Sequence, residues 1–240
     1  DLRLAWSWAL QNDPNEVVPL VHDGVMFVHG FLDKVQAIDA ATGDLLWQYS
    51  RRLPRDRAPT VKRGLALYGD RLYLPTSDAH LVALNVKTGD VVWDQAIADP
   101  KAGYGITGGP LAANGKVMIG TTGRAPGGNF IVALNAQTGA EAWRFSTIAR
   151  PGEPGGSSWN GLPVNLRNGA SVWVPASYDQ TLDLAFFGPA QTYDTGPLRI
   201  PSDAEGITND GLYTDSTLAF NVTTGRLVWF FQHQPNDQWD

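Results

Sequence analysis

Four stretches of this chain are near-copies of one another: AIDAATGDLLW (residues 37–47), ALNVKTGDVVW (83–93), ALNAQTGAEAW (133–143) and AFNVTTGRLVW (219–229). Each combines an apolar strand end, an Asp or Asn, a Thr-Gly turn and a second strand that closes on Trp. Such a stretch forms a β-hairpin in which Gly supplies the positive φ of the turn and the Asp or Asn side chain satisfies nearby backbone groups. The tryptophans are 46, 50 and 86 residues apart. A period of roughly 40–50 residues built from short strands is that of a propeller blade, and the longest interval leaves room for one blade and an insertion.

Composition fits that architecture. Of 240 residues, 43% are hydrophobic and 18% charged, with 26 Gly and 16 Pro, as expected for a turn-rich all-β chain with ample core. A net charge of −6 with dispersed Lys and Arg argues against nucleic acid as a partner. With no cysteine, disulfides, thiolate metal sites and a cysteine nucleophile are excluded within these residues. No run approaches the roughly 18 apolar residues of a membrane span. The four histidines are dispersed, no Gly-x-Ser-x-Gly elbow occurs, and the glycine-rich runs do not lie between a strand and a helix.

Ahead of each repeat hairpin stand two further strand signals: PLVHDGVMFVHG, RGLALYGDRLYLPT, GPLAANGKVMIGTT, and SVWVPASYD with LDLAFFGPA. The expectation is four complete four-stranded blades preceded by one strand, residues 2–10, that closes a blade begun elsewhere. Two Pro/Gly-rich segments, 150–169 and 191–215, exceed ordinary loop length and are expected to be functional.

The repeat resembles the tryptophan-docking motif of the pyrroloquinoline quinone (PQQ) dehydrogenases, the quinoprotein alcohol dehydrogenase type. The opening LRLAWSWAL…NEVVPLVHDGVMFV, the run KRGLALYGDRLYLPTSDAHLVALNVKTG and the end LVWFFQHQPNDQWD extend the resemblance over essentially all 240 residues. It implies an eight-bladed β-propeller of which residues 1–240 supply about half. It also implies PQQ as cofactor, an alcohol or sugar hydroxyl as substrate, a cytochrome c or quinone as electron acceptor, and a periplasmic location reached after loss of a leader. The remaining half of the propeller is then a necessary partner, and residues 1–240 alone are expected to aggregate and to be inactive.

Position by position, the resemblance makes Glu16 a carboxylate contacting the quinone and Arg63 the partner of a cofactor carboxylate, a task suited to the guanidinium fork. It makes Thr107, Thr122, Gly123 and Ser171 contacts to the cofactor, and Trp173 the aromatic floor beneath its flat ring. Asp240 takes the place of the general base that accepts the alcohol proton. The family's adjacent cysteines are replaced by Arg57 and Ala58, and its calcium-binding Glu and Asn by Ala125 and Gln191. Calcium prefers carboxylate oxygen, so the resemblance does not carry that metal site over intact, and Arg124 beside Ala125 offers a positive charge near the quinone instead. A non-enzymatic propeller acting as a binding or assembly scaffold stays open as a second reading. Retention of Glu16, Arg63, Trp173 and Asp240 favours the dehydrogenase.

Overall fold

The computed structural model describes residues 2–11, 16–56, 58–194 and 196–237. Four antiparallel four-stranded sheets follow one another along the chain, each with its strands in sequence order. Blade 1 comprises Leu20–His22, Val25–Gly30, Lys34–Asp39 and Leu45–Ser50, and blade 2 Ala66–Tyr68, Arg71–Pro75, His80–Asn85 and Val91–Ala96. Blade 3 comprises Leu111–Ala113, Lys116–Gly120, Phe130–Asn135 and Glu141–Ser146, and blade 4 Ser177–Asp179, Leu184–Phe187, Ser216–Asn221 and Leu227–Gln232. The short first strands of blades 2, 3 and 4 approach one another and mark the axial side. In blade 2 the second and third strands are buried on both faces, whereas the fourth strand is exposed except at Trp93, which is half-buried.

Each repeat hairpin is a locking device between blades. In the first, Asp39 Oδ1 accepts the amides of Ala41 and Thr42 at 2.8 and 2.9 Å, which bends the chain into the turn and leaves Gly43 at φ 80°. The ring of the preceding blade's tryptophan then lies where a glycine Cβ would be. A Cβ on Gly89 would stand 2.5 Å from Trp47, on Gly139 2.9 Å from Trp93, and on Gly225 2.4 Å from Trp143. The indole N–H groups complete the lock by donating to backbone carbonyls of the next blade: Trp47 to Val86, Trp93 to Ala136 and Trp143 to Val222, at 2.9–3.1 Å.

Residues 2–10, expected as a strand, join no described sheet. A strand needs a neighbour to pair with, and the described residues supply no blade on that side. The segment is nonetheless seated as an outer strand's tryptophan would be, since Trp6 donates to the Ala40 carbonyl at 3.0 Å and its ring fills the space over Gly43. At the other end, Trp229 is 44% exposed and no described blade follows to receive it.

The two long segments fold onto each other beside blade 4. Trp159 is buried with Ile148, Ala170 and Leu198, and its indole donates to the Leu212 carbonyl at 2.6 Å. Asn160 Nδ2 bonds the carbonyls of Pro197 and Ile200. Most of both segments therefore forms a packed knob, and among their described residues Gln191 and Tyr193 reach the site described next.

Candidate cofactor site

In an antiparallel blade the start of the first strand and the end of the second lie at the same edge. Glu16, Arg63, Thr107 and Trp173 each stand three or four residues before the first strand of blades 1, 2, 3 and 4. Thr122, Gly123, Ala190 and Gln191 follow second strands. The fold thus brings them to one end of the blade arc, where a cleft of about 620 Å³ is lined by Thr60, Val61, Arg63, Thr107, Thr122, Gly123, Ser171, Trp173, Ala190, Gln191 and Tyr193. Six of the residues that the resemblance assigns to the cofactor, from three different blades, meet in this cleft, together with Gln191. Close approach of the walls depends on glycine: a Cβ on Gly109 would lie 3.2 Å from Gly64 Cα, and one on Gly108 3.1 Å from the Val172 carbonyl oxygen.

Arg63 dominates the electrostatics. Its Nε lies 2.8 Å from Glu16 Oε2, its Nη1 donates to the Thr107 carbonyl at 3.5 Å, and its guanidinium sits 4.9 Å from the Trp173 ring centre. Glu16 therefore joins the site through Arg63 rather than through the cleft wall. Opposite, the Ser171 hydroxyl is bonded to the Tyr193 hydroxyl and accepts the Gly123 amide at 3.3 Å. Gly123 is held at φ 111°, where a Cβ would collide with the Gly103 carbonyl oxygen at 2.2 Å. Arg124, at the rim, lies 4.9 Å from the Tyr193 ring centre.

Several contributors carry no sequence signal. Asn129, fully buried in blade 3, donates to the carbonyls of Gly123 and Gly169 at 3.0 and 2.8 Å and to Ser171 Oγ at 3.2 Å. It ties two walls of the cleft together, and a lone Asn in a glycine-rich run does not announce that. Tyr193 and Thr60 were equally silent. The expected general base, Asp240, and Arg57 lie outside the described residues.

The donor set accommodates a flat polyanion: an aromatic face, a guanidinium, hydroxyls, and no carboxylate among the described residues of the lining. Two calcium-ligand positions implied by the resemblance are altered: Ala125 is buried away from the cleft and has no side-chain oxygen, and Gln191 supplies a neutral amide whose Oε1 is buried without a hydrogen-bond partner.

The profile of the PQQ-dependent glucose/ethanol/alcohol dehydrogenase β-propeller domain matches residues 1–240. The chain is 38% identical over 258 aligned residues to quinohemoprotein alcohol dehydrogenase ADH IIB of Pseudomonas putida, covering 100% of this chain and 36% of that protein. Among solved structures, it superposes on the quinohemoprotein alcohol dehydrogenase ADHIIG of Pseudomonas putida HK5 with a TM-score of 0.84 at 35% identity, over 99% of this chain and 37% of that one. A europium-containing methanol dehydrogenase gives the same TM-score at 27% identity, over 99% of this chain and 45% of that one. The four sheets are therefore blades of a quinoprotein-type β-propeller. The chain belongs to the PQQ-dependent alcohol dehydrogenase propeller family, and it spans less than half the length of these relatives.

Proposed function

We propose that this chain provides the cofactor-bearing arc of a PQQ-dependent oxidoreductase that oxidises an alcohol or sugar hydroxyl. The observation that carries the reading is convergence. Arg63, Thr107, Thr122, Gly123, Ser171 and Trp173 are far apart in sequence and line a single cleft. When bound, the quinone supplies the two-electron oxidation. The chain's residues orient it and hold its charge. Arg63 pairs with an acid group at one edge, with Glu16 fixing the direction of the guanidinium. Trp173 stacks beneath the ring and excludes water from that face. Thr107, Thr122 and Ser171 present hydroxyls to the remaining acid groups, and Arg124 over Tyr193 provides positive charge at the rim where the family places a metal. Asp240 accepts the substrate proton.

The proposal extends to a cytochrome-type or quinone acceptor, supported by relatives named as quinohemoproteins and as a dehydrogenase subunit. It also extends to a periplasmic site of action, supported by the family resemblance, and to further blades that receive Trp229. Dye reduction by PQQ-loaded, full-length protein with a panel of primary alcohols and sugars tests the activity. PQQ-dependent reduction with at least one of them is expected. Silence across the panel while PQQ remains bound would favour the scaffold.

A further inference from the structure

Beneath the cleft wall lies a charged cluster that the cofactor reading leaves unused. Asp33, 2% exposed and at φ 52°, sits in the turn after the second strand of blade 1. Its Oδ2 accepts the Ser77 amide at 2.6 Å and its Oδ1 accepts the Ser77 hydroxyl at 3.0 Å. Lys62, 5% exposed, places Nζ 3.4 Å from the same Oδ1, and His29 Nε2 lies 3.9 Å from it. The Lys62 ammonium also donates to Ser77 Oγ at 3.0 Å, to the Thr60 carbonyl at 3.3 Å and to the Thr60 hydroxyl. Thr60 in turn donates its amide to Ser77 Oγ at 3.0 Å and its hydroxyl to the Ile106 carbonyl at 3.5 Å. One chain of hydrogen bonds thus runs from blade 1 through blade 2 to the segment that carries Thr107.

A buried ammonium and carboxylate are costly to desolvate and are weak evidence for stability as such. Their position suggests another use. Lys62 lies within the run 60–63, which contributes Thr60, Val61 and Arg63 to the cleft but not Lys62 itself. Along extended chain, neighbours point to opposite sides. Gripping Lys62 from behind therefore fixes where Arg63 stands in front.

We infer that Asp33 and Lys62 are positioning residues of the cofactor site, holding the strip 60–63 in register so that Val61 and Arg63 face the ligand. This rests on the reading of the cleft as a quinone site. The test measures, on the full-length protein, PQQ affinity by fluorescence titration, amide exchange of the ligand-free protein over residues 58–66, and the melting temperature. Asp33→Asn is expected to weaken PQQ binding at least tenfold and to speed exchange over 58–66, leaving the outer hairpins unchanged. The double variant Asp33→Leu/Lys62→Met removes both charges and is expected to recover the melting temperature without recovering affinity. Wild-type affinity in the double variant would overturn the inference, because the cluster would then serve stability alone. If the parent protein itself binds no PQQ, the cofactor reading falls and exchange decides the positioning claim: unchanged exchange in Asp33→Asn overturns it. Should Asp33→Asn not fold, Lys62→Gln takes its place with the same readouts and the same expected direction.

Discussion

The guanidinium of Arg63 lies over the indole of Trp173, 4.9 Å from the ring centre, although 110 residues separate them in the chain. One precedes the first strand of blade 2 and the other the first strand of blade 4. The contact spans the cleft and makes the charged edge and the apolar floor of the site a single unit. Residues in direct contact couple energetically, by about 0.5–3 kcal/mol in mutant cycles. Arg63→Ala and Trp173→Ala are each expected to lower PQQ affinity about tenfold or more, a loss of about 1.4 kcal/mol, and the double variant to depart from additivity. Arg63→Lys should recover little, since an ammonium lacks the planar fork. Fluorescence titration of the parent and the four variants checks this, and additive losses would show the two residues acting separately.

Gly89 tests the interblade lock. Both Gly89 and Gly24 have positive φ, at 76° and 77°, but a Cβ on Gly24 meets nothing within 4 Å whereas one on Gly89 would press into Trp47. The left-handed backbone costs about 1–2 kcal/mol for Ala in either place. Overpacking against the indole adds about 1–3 kcal/mol at Gly89 alone. Thermal unfolding should therefore rank Gly89→Ala well below Gly24→Ala. Equal melting temperatures would mean that the tryptophan does not lock the blades.

Acid should loosen the molecule first at the cluster beneath the cleft. Burial pushes the His29 imidazole below its ordinary value of 6.5. Burial pushes the Asp33 carboxyl up, but the bond to His29, the Lys62 charge and the Ser77 amide outweigh it and hold it below its ordinary 3.8. Both folded values are depressed, so both contributions are present at high pH and lost as pH falls. For His29 the loss begins near 6.5, where the unfolded chain takes up a proton that the folded chain refuses. Its slope reaches at most about 1.4 kcal/mol per pH unit for one proton. The Asp33 contribution follows below 3.8. Denaturant unfolding between pH 7.5 and 5 should show the first phase, and His29→Gln should remove it.

The flank of blade 4 predicts association. Trp229, Phe230 and Phe231 are 44, 41 and 61% exposed along one strand, an apolar edge that the other outer strands bury in part by docking. Residues 1–240 produced alone should elute from a sizing column well above the 26.0 kDa of the monomer. Trp229→Ser/Phe231→Ser should shift the population toward monomer, and a monomeric parent would contradict this.

What the sequence made legible follows from physics that repeats. The Asn/Asp-x-x-Thr-Gly turn and the docking Trp recur because every blade solves the same packing problem, so blade number and hairpin placement could be read directly. Arg63, Thr107 and Trp173 were legible through the family resemblance, and the structure shows that they stand at equivalent offsets before successive first strands. Asn129, Tyr193 and Asp33 were not, because each acts through a contact specific to one place in the ring, with no periodicity to betray it. Residues 2–10 looked like a strand and are not paired as one, since alternation marks a segment able to pair while pairing needs a neighbour.

The central claim, proposed above, is that the cleft bounded by Arg63 and Trp173 binds PQQ. The direct measurement is titration of the metal-depleted, full-length protein with PQQ, repeated with excess Ca²⁺ and with chelator. Saturable binding at micromolar PQQ is predicted, with the same affinity in all three conditions. Absence of binding at micromolar PQQ would contradict the claim, and a tenfold gain on adding Ca²⁺ would show that the cleft builds a metal site after all.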